Sequence, residues 1–395
     1  MKRFIISTYK VFLREFKLVT KDMGIILFLV FLPLAYPIIY SLIYNPEVVR
    51  DVKMIVVDND RSALSRELVR NLDATQEIWI KGYAADMNEA RRAMSDHKCY
   101  GILEIPADFG RKCTSGEVGN AVIYSEMSLL LRYRGFLVAS TNVSQAMGAE
   151  IQHADINRSM PLAETIATGD PLPVANISMG NIESGFDSFI MPGIVILILQ
   201  QCIILAIGMA GGARHESPLI TGYDSYNEST SVVGSLIGKV LAYFTIMIVP
   251  AIFLIHYVPL IFSFPMAGNI VEEFLFIIPL ILSSIFLAFS LQGFVRERES
   301  IFVLWVVTSV FFLFLSGLTW PRYAMSPFWK FLSDLVPATW GVEGFIRMNT
   351  NGASLAQVSA DYTSLWWLTL LYAITAYCSQ RWIMRPLQFR LKKAA

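Results

Sequence analysis

Apolar stretches long enough to cross a bilayer recur along this chain, and they constrain its fold more than any other feature. A hydrocarbon core of ~30 Å takes roughly 20 apolar residues in a helix. Six segments reach or approach that length: Gly24–Tyr44, Phe189–Ala210, Val240–Phe262, Phe274–Val295, Ile301–Leu318 and Leu365–Ile383. Hydrophobic residues make up 54% of the sequence and charged ones only 16%, whereas soluble domains carry about 25% charge. A soluble enzyme is excluded. The chain moves something across a membrane, senses across one, or is anchored there.

Lysine and arginine set the orientation, because they collect on the cytoplasmic side of spans. Lys2, Arg3, Lys10, Arg14, Lys17 and Lys21 precede the first span. Arg214 and Lys239 lie between the second and third, and Arg296 and Arg298 separate the fourth and fifth. Arg385, Arg390, Lys392 and Lys393 follow the sixth, while the connection from Ser263 to Glu273 has neither residue type. Both termini are therefore predicted inside. The first span is too long for a cleavable signal peptide, contains Pro33 and Pro37, and ends at Tyr44-Asn45-Pro46 without a small-residue cleavage site. A net charge of zero gives no case for a nucleic-acid partner.

Residues 1–22 read as a helix lying in the membrane surface. At 100° per residue, Arg3, Lys10, Arg14, Lys17 and Lys21 fall within an arc of about 60°. Ile5, Tyr9, Phe12, Phe16 and Val19 occupy the opposite side, within about 80°. A helix with one basic and one apolar face rests at the headgroups, where cations meet anionic lipid. Lys10, Arg14, Lys17 and Lys21 are the candidate surface contacts. A merely solvated helix with a charged face is the plainer reading, and direct attachment to the first span (23–44) favours the interfacial one.

Residues 45–186 are polar and of domain size. Val52–Val57 reads as a strand entering the turn Asp58-Asn59-Asp60, and Ser62 caps a helix with Leu64, Leu68 and Leu72 at helical spacing. Ile78–Ile80, Tyr100–Ile105 and Val118–Tyr124 are further strands, with helices over Asp86–Ser95 and Leu129–Arg158. This alternation predicts a small α/β domain, with Pro161 to Pro173 as an irregular return. Cys99 and Cys113 share this domain and can bridge if it is extracytoplasmic. Residues 187–384 hold spans two to six, and 385–395 form a basic tail. Between spans five and six, residues 319–364 are too aromatic for a free loop and too broken by Pro321, Pro327 and Pro337 for a span. Re-entrant short helices suit them, since irregular backbone at membrane depth survives only when packed in protein or lining water.

Motifs for chemistry are missing. Gly234-Ser-Leu-Ile-Gly238-Lys239 approaches a phosphate-binding loop and fails it: three residues separate the glycines, and Val240 stands where Ser or Thr should hold magnesium. Gly208–Gly212 and Gly234–Gly238 are GxxxG spacings whose physical use is close helix packing, and chance also produces them. No G-x-S-x-G or H-E-x-x-H occurs. His97 and Cys99 are close in sequence but lack a second ligand pair. Gln200 and Gln201 sit inside a span, where an amide needs a partner. Interhelical contacts are the default for them, and with Trp320 they are candidates for lining a substrate path. Asn142-Val-Ser and Asn176-Ile-Ser match glycosylation sequons, which are too short to use alone.

Three stretches carry a resemblance to the type-2 ABC exporter permeases, and it covers nearly the whole chain. Val56-Val57-Asp58-Asn59-Asp60-Arg61-Ser62 with Ser65-Arg66-Glu67-Leu68 is similar to the first strand and helix of that family's insertion. Tyr100-Gly101-Ile102-Leu103-Glu104-Ile105-Pro106 is similar to its central strand. Leu315-Ser316-Gly317-Leu318-Thr319-Trp320-Pro321, then Pro337-Ala338-Thr339 and Gly344-Phe345-Ile346-Arg347, resembles the re-entrant region. Gly238-Lys239 matches the pair that opens span three. Arg214-His215-Glu216 is followed by Ser217-Pro218-Leu219-Ile220, which keeps only part of the family's loop pattern, and Met325-Ser326-Pro327 stands where Met-Pro is expected.

The resemblance implies six spans with re-entrant helices, an extracytoplasmic α/β insertion, and a permease that binds no cofactor itself. Such permeases pair with a second copy or a paralogue and dock a separate ABC ATPase subunit, which holds the ATP and magnesium. Some systems add a periplasmic adaptor. It implies export of a hydrophobic or amphipathic substrate, such as a drug in multidrug efflux, from a bacterial inner membrane. Arg214, His215, Glu216, Arg296, Glu297, Arg298 and Glu299, on the two internal loops, are the candidate ATPase-coupling residues. The alternative is a membrane-anchored receptor or scaffold whose insertion binds a ligand or partner protein, although six spans are more membrane structure than an anchor needs.

Overall fold

The computed structural model describes residues 2–44, 48–159, 181, 185–216 and 231–394. Its chain divides into two units, Met1–Asn45 with Ser178–Ala395, and Pro46–Ile177. Helix α1 (Lys2–Lys21) leads into α2 (Met23–Ile43), and Asp22 between them caps α2 by accepting from the amides of Gly24 and Ile25. A π turn at Leu27–Phe31 interrupts α2. Such a turn frees one backbone carbonyl and shifts the side-chain register.

The second unit is a four-stranded sheet between helices. Its elements are β1 (Val52–Asp58), α3 (Ala63–Asp73), β2 (Ile78–Tyr83), α4 (Met87–Ser95), β3 (Gly101–Ile105), α5 (Phe109–Thr114), β4 (Val122–Ser125) and α6 (Leu130–Ser159). The strand order is β2-β1-β3-β4, with β1 parallel to both neighbours and β4 antiparallel at the edge. Met54, Val56, Leu103 and Ile105 alternate onto the face covered by α3 and α6, where Leu68, Leu72, Phe136 and Val143 complete a core. The opposite face carries a smaller cluster of Val57, Ile102, Cys99 and Ala90 of α4.

The turn after β1 explains the Asp-Asn-Asp sequence. Asp58 accepts from the amides of Asp60 and Arg61 and from the Ser65 hydroxyl, which holds Arg61 at φ 53°. Ser62 then caps α3 at 3.0 Å from the Ser65 amide. The fourth strand is shorter than its apolar pattern predicts. Gly116 at φ 76° turns the chain, and the Glu117 amide donates to Lys112 O, so pairing begins only at Val122. The two domain cysteines are free thiols, packed with opposite-face clusters of the sheet.

The first unit continues with α7 (Phe186–Glu216), α8 (Val232–Phe262, with a π turn at Phe253–Tyr257) and α9 (Ile270–Phe294). Helices α10 (Ser300–Leu315), α11 (Pro327–Asp334), α12 (Pro337–Asn349) and α13 (Ser359–Ala394) follow. Among the described residues, α2, α7, α8 and α9 are long and apolar enough to cross a membrane, and α10 is a shorter apolar helix. The fold is that of a mostly helical membrane protein with a small sheet. Most helices run past the expected spans, and two of the shifted boundaries have a local cause. Helix α8 begins at Val232, capped by Ser231, so Gly234–Lys239 lie inside it. The fifth apolar helix ends at Leu315, because Gly317 takes φ 85°. The segment Pro161 to Pro173 and the run Ser217-Pro218-Leu219-Ile220 lie outside the described residues.

The buried core of this unit is centred on α7, which contributes Ile196, Ile203, Ile204 and Ile207 among others. After α10 the chain is pinned by polar groups. Arg322 pairs with both Asp334 and Glu343 and lies 4.2 Å over the Trp340 ring. The Trp340 indole donates to Asp334 O at 3.0 Å, and Arg347 reaches Asp361 at 3.1 Å. These contacts account for the aromatic, proline-broken sequence forming two short packed helices.

Candidate functional site: the converging helix ends

Helix α1 presents three faces rather than two. Thr8, Val11, Glu15 and Val19 are buried at 3–4 residue intervals, Ile5, Tyr9 and Leu13 are exposed on one flank, and Lys10, Arg14, Lys17 and Lys21 on the other. The buried seam packs on α8, whose glycines permit the approach. A Cβ at Gly238 would stand 2.7 Å from Thr8 O, and one at Gly234 2.9 Å from the Thr8 hydroxyl. Both GxxxG pairs therefore serve close packing. The second brings Gly212 of α7 against the backbone of Glu297 and Arg298, and Gly208 against Ile301.

This contact juxtaposes the two loop segments singled out in the sequence. The end of α7, Arg214–Glu216, and the α9–α10 connection, Arg296–Glu299, lie together, although some eighty residues separate them along the chain. Their side chains fall into two groups. Arg214 is inward and paired with Glu15 of α1, whose side chain is only 1% exposed. Arg298 pairs with Asp22, Nη2 to Oδ1 at 2.5 Å. These two arginines hold α1 and its elbow to the loops. His215, Glu216, Arg296, Glu297 and Glu299 are exposed. The remaining charges of the rim face solvent, whereas Arg214 and Arg298 act as internal ties.

Beneath the rim runs a chain of buried amides. The Lys239 ammonium donates to Gln380 Oε1 at 3.2 Å, Gln380 Nε2 donates to Gln292 Oε1 at 2.6 Å, and Gln292 Nε2 donates to Ile207 O at 3.1 Å. An ammonium only donates, so it obliges Gln380 to offer its oxygen, and each amide then orients the next. One residue each from α8, α13, α9 and α7 is joined. All three side chains are buried, where an unmade hydrogen bond would cost about 1–3 kcal/mol.

Sequence reasoning missed Glu15 altogether. Its signal was present: a single acid on a basic helix, in step with Thr8, Val11 and Val19. Gln292 and Gln380 were missed because each sits at the end of an apolar run. Of the mid-span amides, Gln200 accepts from the Ala338 amide at 2.7 Å and so caps α12. Both amide atoms of Gln201 are buried and have no partner among the described residues. Trp320 is exposed, and the structure does not bring it together with the two glutamines. No cluster of metal-ligating side chains occurs among the described residues.

No curated protein sequence matches the chain. The model of the ABC-2 family transporter proteins matches residues 23–378, which spans α2 through most of α13. A match over most of the chain, on a helical membrane fold, shows the family and with it a permease component whose ATPase resides in a partner subunit. This multi-pass membrane protein belongs to the ABC-2 transporter family.

Proposed function

We propose that the chain is the transmembrane subunit of an ATP-driven exporter. It carries a hydrophobic or amphipathic substrate out of the cytoplasm or inner leaflet of a bacterial inner membrane. It works by alternating conformations as a dimer with a second copy or paralogue. The apolar helices α2, α7, α8, α9, α10 and α13 are its six spans, α11 and α12 its re-entrant helices, and residues 45–186 its extracytoplasmic domain, placed outside by the lysine and arginine distribution. Residues 1–22 lie on the inner membrane surface through Lys10, Arg14, Lys17 and Lys21, and both termini are cytoplasmic. Gln201, whose buried amide has no partner among the described residues, is the residue proposed to line the substrate path.

The observation that supports ATPase coupling is the convergence of the two internal segments under α1, with five exposed polar side chains around them. A permease without its own nucleotide site receives force through such a surface. Closure of the ATPase dimer would then bias one of two arrangements of the spans. Combined reversal of Glu216, Arg296 and Glu299 tests this, because all three are exposed and their side chains make no ion pair among the described residues. The expected result is loss of ATPase co-purification, or hydrolysis uncoupled from transport. Normal assembly and transport by that variant would refute the docking surface. Charges at such a rim guide register more than they add affinity, so single reversals should be mild.

A further inference from the structure

A cavity of about 700 Å³ lies within the second unit, on the sheet face that packs against α3 and α6. It falls in the ~300–1,000 Å³ range of small-molecule sites. Its floor is apolar and is part of the domain core: Leu68 and Leu72 of α3, Leu103 of β3, Phe109 of α5 and Met147 of α6, all buried.

The sequence keeps this space open. On one stripe of α6, Phe136, Ala139 and Val143 fill the core. On the adjoining stripe the same helix presents Ser140, Thr141, Ser144 and Gly148, and a Cβ added at Gly148 would meet nothing within 4 Å. The loop after α5 forms the other wall. Gly119 lets it approach so closely that a Cβ there would collide with Cys113 Sγ. Cys113 is thereby a packing element of the wall rather than a free nucleophile.

The α6 wall is rich in acceptors. The three hydroxyls spend their protons on their own helix: Ser140 and Thr141 donate to Leu137 O at 3.1 and 2.7 Å, and Ser144 to Thr141 O at 3.1 Å. What they leave toward a guest is acceptor lone pairs. Among the described residues, Glu117 is the only carboxylate in the lining, no lysine, arginine or histidine lines it, and Asn120 adds an amide that both donates and accepts. The guest that matches this lining best brings hydrogen-bond donors and positive charge at one end and an apolar body at the other. An anionic amphiphile would meet a like charge at Glu117, with the Asn120 amide as its one side-chain N–H donor among the described lining residues.

We propose that this cavity binds a lipophilic amine, with its apolar body on the leucine and phenylalanine floor and its protonated nitrogen toward Glu117 and the α6 hydroxyls. The proposal stands apart from the exporter reading, since it would hold equally for a receptor domain.

The test uses the full chain purified in detergent and two probes with one fluorophore, dansylcadaverine (an amine) and dansylglycine (a carboxylate). Saturable enhancement of dansylcadaverine fluorescence is expected, with dansylglycine at least about tenfold weaker. Glu117→Gln should weaken the amine about two- to fivefold, the worth of an ion contact to an exposed carboxylate, and leave the weak carboxylate probe unweakened. Gly148→Leu puts a better helix former into open space and should abolish binding of both probes without lowering the thermal midpoint. Equal binding of the two probes would overturn the ligand class. Absence of saturable binding, or binding that survives Gly148→Leu, would overturn the site.

Discussion

Glu15→Gln is the most informative single change in this protein. The substitution preserves shape and removes one charge from a carboxylate that is 1% exposed and paired with an arginine that is 13% exposed. Neither group is within reach of strong solvent screening, so the value of a surface pair, about 0–1 kcal/mol, does not apply. The guanidinium would be left buried beside a second cation, Lys239, which is 3% exposed. Breaking a buried pair from one side costs about 3–5 kcal/mol. The variant should lose that much in a sodium dodecyl sulfate titration in mixed micelles, and Glu15→Lys should lose more. The swap Glu15→Arg with Arg214→Glu should recover part of the loss, since it restores the pair in reverse. A loss below about 1 kcal/mol for Glu15→Gln would mean that water reaches the pair, and the account of α1 as tied to α7 would fail.

Three further outcomes follow from the same geometry. In a cysteine-free background, a thiol placed at Ser115 should react with an impermeant maleimide in intact cells while one at Ser300 should not; the reverse would invert the topology. Leucine at Gly212 or Gly238 meets backbone atoms and should cost about 1–3 kcal/mol by overpacking, whereas Gly82→Ala, with nothing within 4 Å, should fold normally, and equal tolerance at all three would refute the packing role. Burial pushes the Cys99 and Cys113 thiols above their ordinary value, so thiolate is scarcer at neutral pH and alkylation should still be climbing at a pH where a free thiol has levelled off. A Cys99–Cys113 bridge on a non-reducing gel would contradict their packing on opposite faces of the sheet.

The fold was legible wherever one residue type carried one physical demand. Apolar length marked the membrane helices. Asp58 and Ser62 marked the first turn and cap of the insertion, and the prolines marked the break into α11 and α12. The site was legible only in part. Arg214 and Arg298 were visible as charges near helix ends, yet nothing in the sequence says that Glu15 and Asp22 take them up, because those partners are 199 and 276 residues away. The lysine–glutamine chain was hidden for a related reason. An amide beside an apolar run looks the same whether it faces lipid, a neighbouring helix or a path, and only packing chooses. The cavity in the insertion was unreadable in a stronger sense, since it is made by what Ser144 and Gly148 fail to fill.

The direction imposed by Lys239 on the two glutamines has an evolutionary consequence. Because the ammonium fixes which end of each amide faces which neighbour, no member of the series can change alone without stranding a donor or an acceptor in the next helix. Replacing Lys239 by an acceptor would require Gln380 and then Gln292 to turn over. Gln292 would then present its oxygen to the carbonyl of Ile207, and two acceptors would face each other. Substitution at these three positions should therefore be concerted across related sequences, with the triplet either kept whole or exchanged together for apolar residues. These positions on four helices would drift as a single inherited character.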